Sequence, residues 1–141
     1  MLPMAGYSGT PLAKKLGIKA GARVALVSAP PKFDKTLGEL PEGAVLLRQA
    51  RAPLDVVVFF NRRLSDLRKR LAKLADGLVD NGGLWVAWPK KSSGVETDLS
   101  FDVVQKEGLG LGLVDNKICA VDETWSGLRF VRRLKDRRPY G

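Results

Sequence analysis

Three short apolar runs constrain this chain more than any other feature. Residues 23–28, 55–60 and 83–88 are rich in β-branched or aromatic side chains and are bounded by glycine or proline. Each is nearly continuous in its apolar character rather than alternating. Strands of that kind are buried on both faces, as in a parallel sheet covered by helices on either side. Between the runs the period changes. Leu64, Leu67, Leu71, Leu74 and Leu78 recur at steps of three and four, one face of a helix. Asn61 or Ser65 is expected to cap that helix, and Gly77 or the Asn81-Gly82-Gly83 stretch to end it.

The remaining segments complete the pattern. A second helix is expected from about residue 99 to 107, stopped by Gly108. A short one over residues 11–16 has Ser8 or Thr10 as its cap and Pro11 in its first turn. Residues 44–47 read as a weaker strand. Residues 113–114 and 117–121, followed by 128–132, read as an antiparallel edge hairpin joined by residues 122–127. The order is helix, strand, connection, two strands, helix, strand, helix, hairpin. It predicts a three-layer α/β domain with a mostly parallel, Rossmann-like sheet and a C-terminal antiparallel edge hairpin. A chain of 141 residues suits one such domain, placed at 1–133, with 134–141 as a basic, flexible tail.

Composition narrows the chemistry. The chain has no histidine, which removes Ser-His-Asp and Cys-His catalysis and His-ligated metals. Its one cysteine, Cys119, excludes an internal disulfide, lies mid-strand and is expected to serve packing. No apolar run approaches the roughly 18–20 residues of a membrane span. Residues 1–6 lack a basic region followed by an apolar stretch, so a cytoplasmic location is expected. No metal and no cofactor is predicted.

The formal charge is +9, from 24 Lys+Arg against 15 Asp+Glu, and it is unevenly spread. Residues 61–73 hold Arg62, Arg63, Arg68, Lys69, Arg70 and Lys73 against Asp66. Residues 129–141 hold Arg129, Arg132, Arg133, Lys135, Arg137 and Arg138 against Asp136. Two basic patches on a nearly neutral body can attract a polyanion, although Asp66 and Asp76 lower the potential of the helical one.

Residues 108–112 (Gly-Leu-Gly-Leu-Gly) imitate a dinucleotide fingerprint but close a helix and enter a strand, the reverse of what that motif requires. The place for such a motif is after the first strand, where Pro30 and Pro31 remove two N–H donors. No Walker-type loop is present. More specific is the stretch after the third strand, where Lys90, Lys91, Ser92 and Ser93 precede a glycine and the next helix, with Thr97 or Asp98 as its expected cap. In doubly wound sheets ligands bind at the carboxyl ends of strands, and lysines and backbone N–H groups there suit a phosphate or carboxylate. The expected topology brings five segments to that one rim: Tyr7, Ser8 and Thr10 before the first helix, the loops after Ser28 and after Phe60, the Lys90–Ser93 segment after Trp88, and the hairpin loop at Asp122 with Trp125.

Three blocks then resemble a known family. Residues 7–18, 88–99 and 119–128 are together similar to a bacterial family of small cytoplasmic proteins catalogued only as a domain of unknown function. The resemblance runs to Arg133. At the level of fold, the order of elements also resembles the class I methyltransferases that use S-adenosylmethionine, in which a strand–helix half is completed by an edge hairpin. Two features depart from that pattern: no glycine-rich turn follows the first strand, and Arg48-Gln49 rather than an acidic residue follows the second.

The reading these observations favour is a non-catalytic binding or regulatory domain. Its carboxyl rim would hold a small anionic ligand or a protein partner through Lys90, Lys91, Ser92, Ser93, Tyr7, Ser8, Thr10 and Trp125. One alternative is a degenerate or atypical enzyme of methyltransferase-like fold, with Asp122 or Glu123 as general base and Lys91 as electrostatic stabiliser. Another is a nucleic-acid binder working through Arg62, Lys69, Lys73, Arg132 and Arg133. No membrane partner is expected, and oligomeric state stays open.

Overall fold

The sheet forms where the sequence is most apolar. In the computed structural model, which describes residues 10–137, β3 (Leu54–Phe60) lies inside the sheet with Val56 to Phe60 all buried. β1 (Arg23–Val27) and β4 (Leu78–Pro89) flank it, β2 (Val45–Leu47) lies beyond β1, and β6 (Trp125–Arg132) and β5 (Leu113–Ala120) extend the other side. The order is β2-β1-β3-β4-β6-β5. β1 to β4 are parallel, β6 is antiparallel to β4, and β5 antiparallel to β6.

Side chains leave the strands alternately to two faces. Val56, Val58 and Phe60, with Trp85 and Ala87 of β4, pack under α1 (Leu12–Lys15) and α2 (Phe33–Leu37). Val57 and Phe59, with Leu84, Val86 and Trp88, pack under Leu67, Leu71 and Leu74 of α3 (Leu64–Asp76) and Val104 of α4 (Phe101–Gly110). Two apolar clusters sharing one sheet are what continuous apolar strands predict. The indole of Trp85 is fully buried and its Nε1–H donates to Leu16 O at 2.9 Å, tying α1 to the sheet. Buried aromatics of this size contribute about 3–5 kcal/mol each.

Several local expectations are corrected. The connection between β1 and β2 contains α2. It is too short to show a period, and it is anchored by buried Phe33 and Leu37. α3 ends at Gly77, and Asn81-Gly82-Gly83 lies within β4. A Cβ at Gly82 would sit 3.0 Å from the carbonyl oxygens of Leu54 and Asp55, so glycine permits the close backbone approach at the register shift there. Neither Asn61 nor Ser65 caps α3. The N-cap position is Arg63, and the Leu64 N–H is instead accepted by Asp98 Oδ1 at 2.8 Å. α4 is capped by Ser100, whose Oγ accepts from Val103 N–H, rather than by Thr97 or Asp98.

α4 also runs through Gly108 to Gly110 and is closed by Gly112 at φ +85°. Gly108 is therefore no stop: a Cβ there would overlap the Phe130 ring, so the glycine lets the helix lie against β6. α1 has Pro11 at its N-cap in place of Thr10, while Ser8 lies outside the described residues. The hairpin is tighter than expected, because Trp125, Ser126 and Gly127 belong to β6 and pair with β4. Two segments expected for β5 are one strand, with an irregularity between Asp115 and Lys117.

Candidate functional site

β1 is followed in the sheet by β2 on one side and by β3 on the other, so the strand order reverses between β1 and β3. Open α/β sheets leave a crevice at the carboxyl ends of such strands. Here that crevice has a volume of about 540 Å3. Its floor is Ser28 and Pro30 after β1 and Phe59, Phe60 and Asn61 at the end of β3. Ser28 holds a left-handed φ of +57°, turning the chain sharply out of the strand. Asn61 is 5% exposed; its N–H donates to Ala87 O at 2.9 Å and its Nδ2 to Phe59 O at 3.3 Å, so the strand ladder continues one residue past β3.

One wall is aromatic. Trp125 starts β6 opposite Pro89 and meets Phe60 edge-on, with ring centroids 5.1 Å apart at 88°. Phe60 in turn meets Phe33 of α2 at 4.8 Å and 70°. The other wall is cationic: Arg62, Arg63, Lys69 and Arg70 line it, with Asp66 as its one carboxylate. The Arg70 guanidinium lies 5.9 Å from the centre of the Phe59 ring. Arg63 is 3.8 Å from Glu96, a pair exposed on both sides and worth little. Arg62, Lys69 and Arg70 form no ion pair with a carboxylate among the described residues.

The loop after β4 braces this wall. Thr97 Oγ1 donates to Arg62 O at 2.6 Å, Asp98 N–H donates to the same carbonyl at 3.2 Å, and the Asp98 carboxylate occupies the amide end of α3. The first N–H of the helix is thus already taken by a carboxylate, and the cations lining the crevice are side chains.

The residues singled out from the sequence divide between two places. Trp125 lines the crevice, and so do Arg62 and Lys69 of the basic helix. The segment after β4 reaches the same sheet edge, with Lys90 N–H donating to Thr124 O at 2.8 Å, but its side chains are not among the crevice's lining. Lys91–Ser93 form a single 3-10 turn in which Ser93 Oγ donates to Lys90 O at 2.6 Å and accepts from Val95 N–H; Lys91 and Ser92 are exposed. Thr10 is exposed and outside the crevice, while Tyr7 and Ser8 fall outside the described residues.

Asp122 Oδ1 accepts from the N–H groups of both Thr124 and Trp125 at 2.8 Å, which makes it the clasp of the hairpin turn; Glu123 is exposed. Lys73 lies one turn beyond the crevice on α3. At the opposite end of the sheet Arg132 Nη2 donates to Ala75 O and Leu78 O at 2.8 Å, closing the C-terminus of α3, and Arg133 is exposed nearby. The loops after Ser28 and after Phe60 are at the rim as expected, but the sequence did not single out Ser28, Phe60, Asn61, Arg63 or Arg70 as site residues. The legible signal was Asn61-Arg62-Arg63 directly after the most apolar strand.

No group of three or more His, Cys, Asp or Glu able to hold a metal occurs among the described residues, and no helix there is long and apolar enough to cross a membrane. No protein-family model matches the chain, and no curated protein does. Solved structures are similar to it. One is a protein from Sulfolobus solfataricus assigned as a type 11 methyltransferase, with TM-score 0.58 and 13% identity over 92% of this chain and 94% of that one. Another is the magnesium protoporphyrin IX methyltransferase ChlM from Synechocystis with bound SAH, at 0.54 and 9%, covering 86% and 78%. A third is the DhpI–SAH complex, at 0.56 and 11%, covering 86% and 82%. What the chain shares with all three is the fold, a methyltransferase-like, Rossmann-type α/β sheet completed by antiparallel C-terminal strands.

Proposed function

We propose that this chain is a non-catalytic binding domain that holds an anionic ligand in the crevice between β1 and β3. The observation that carries this reading is the convergence of four cations, one carboxylate and the Phe60–Trp125 pair on a single crevice at the strand-order reversal. Lys90 and Lys91 add positive charge along the same edge without lining it.

A degenerate or atypical enzyme of methyltransferase-like fold is compatible with the same architecture. The residues present do not fit S-adenosylmethionine well, however. Its sulfonium is a cation, and this crevice carries four cations against one acid. Pro30 and Pro31 also leave the turn after β1 short of N–H donors. Of the two carboxylates expected as general base, Asp122 is engaged in the hairpin turn and Glu123 is exposed, and neither lines the crevice.

The test is a thermal-shift panel of the full chain with pyrophosphate, phosphorylated metabolites, nucleotides and S-adenosylmethionine. A ligand at a hundred times its dissociation constant adds about 2.7 kcal/mol, several degrees for a domain of this size. We expect a shift with a phosphorylated ligand that is lost in Arg62→Glu and Lys69→Glu, with the Tm of the free variants nearly unchanged. Lys90→Ala with Lys91→Ala should have the smaller effect. A shift that survives both charge reversals, or one given by S-adenosylmethionine alone, would overturn the reading.

A further inference from the structure

The cations of the crevice are part of a longer line. Lys73 follows Lys69 by four residues and Arg70 by three, so it continues their side of α3, and it is exposed. From Arg63 to Lys73 this line spans about 15 Å at the α-helical rise. It holds Arg62, Arg63, Lys69, Arg70 and Lys73 against Asp66 on the helix and Glu96, which lies 3.8 Å from Arg63. One phosphate group can meet two or three of these side chains at hydrogen-bonding distance but not all five. Successive phosphates of a strand can.

The line also has an aromatic head. Trp85 is 0% and Trp88 6% exposed, whereas Trp125 is only half-buried and lines the crevice, braced edge-on by Phe60. A partly open indole at one end of a cationic track is the arrangement that stacks an unpaired base while the backbone follows the charges. With the amide end of α3 taken by Asp98, recognition falls to long, exposed side chains, which read a phosphate backbone without reading sequence. A membrane surface fits less well. Among the described residues the exposed large apolar ones are Val45, Leu46, Phe101, Leu109, Leu111, Ile118 and Leu134, none of them on α3 or lining the crevice, so none of these is placed beside the cations to insert.

We infer that the crevice binds single-stranded nucleic acid, with an unpaired base against Trp125 and three or four successive phosphates along Arg62–Lys73. This rests on the anion-binding reading above and names its ligand class. The experiment is fluorescence anisotropy of the full chain with a labelled 12-nucleotide oligo-dT across a salt series. The same preparations are assayed for binding of dTMP and pyrophosphate by thermal shift, and for binding of vesicles containing phosphatidylserine.

The 12-mer is expected to bind at least tenfold more tightly than dTMP, to quench the partly exposed Trp125, and to lose affinity with salt at a log–log slope of about −2 to −3. Lys73→Glu, outside the crevice, should weaken the 12-mer about tenfold and leave pyrophosphate binding unchanged. Trp125→Leu should weaken the 12-mer by a similar factor. If Trp125→Leu fails to fold, Lys73→Glu still decides the matter. A 12-mer that binds no better than dTMP, a duplex that binds as well as the single strand, or vesicles retained more tightly than the 12-mer would each overturn the inference. If pyrophosphate binds while the 12-mer shows no advantage, the anion crevice stands and this inference alone falls. If neither binds, both fall.

Discussion

Gly108 sits inside α4 with the Phe130 ring where its Cβ would be, whereas Gly110, two residues on, has open space around it. The two glycines look alike in the sequence and do different work. Alanine at Gly108 must displace a fully buried ring, at a cost of about 1–3 kcal/mol for overpacking. Alanine at Gly110 meets nothing and is neutral or stabilising by up to about 1 kcal/mol through reduced backbone entropy of the unfolded chain. Urea unfolding of the two variants checks the contrast. Cys119 offers a second test at this scale. Burial pushes its thiol up from the ordinary value of 9.0, against the opposing pull of Lys15, Lys117 and Lys90. A raised pKa means the folded state favours the neutral thiol. The associated stability is therefore present below about pH 9 and is lost as pH rises through the raised value. The fall in Tm between pH 8 and pH 10 should be smaller in Cys119→Ala, and native Cys119 should react with iodoacetamide more slowly than the unfolded chain does.

Among the elements, α3 depends most on its neighbours. Its core stripe of Leu67, Leu71 and Leu74 is local and legible, but both ends are closed by residues distant in sequence: Asp98 at the amide end and Arg132 at the carbonyl end. Asp98→Ala should cost about 0.5–2 kcal/mol, the usual range for a lost helix cap. Asp98→Asn keeps an acceptor oxygen and should recover most of it, losing only the charge–dipole part of about 0.3–1 kcal/mol. Denaturant midpoints of the two variants give the comparison. Because the Thr97 hydroxyl holds the Arg62 carbonyl at 2.6 Å, Thr97→Val should weaken anion binding as well. The β4–α4 loop thus braces the crevice without lining it. This is why its lysines and hydroxyls, conspicuous in the sequence, sit beside the site rather than in it.

For the whole molecule, the two apolar clusters share β1, β3 and β4, so neither can lose its packing while the other keeps its own. Unfolding should be one transition. In a Trp88→Phe, Trp125→Phe variant, Trp85 fluorescence reports the α1–α2 face, and it and far-UV circular dichroism, dominated by α3 and α4, should give coincident urea curves. Separated curves would show that the faces unfold independently.

What was legible in the sequence is what short-range physics decides. Apolar runs of strand length at residues 23–28, 55–60 and 83–88 identified the buried strands, and the three-and-four spacing of leucines marked α3. Their alternation pointed to a three-layer sheet, and residues 113–132 to an edge hairpin. Burial of strands and the face of a helix are set by neighbours a few residues away, so a linear reading reaches them. The tertiary structure alone decided which polar residues meet. Trp125 and Arg62 are 63 positions apart in the chain and line one crevice. Asp98 and Arg132 close a helix to which neither belongs, and Phe130 claims the space beside Gly108. Those contacts depend on strand order and on loops folding back over strand ends. No periodicity in a sequence carries that information, because the partners are brought together only when the sheet is assembled.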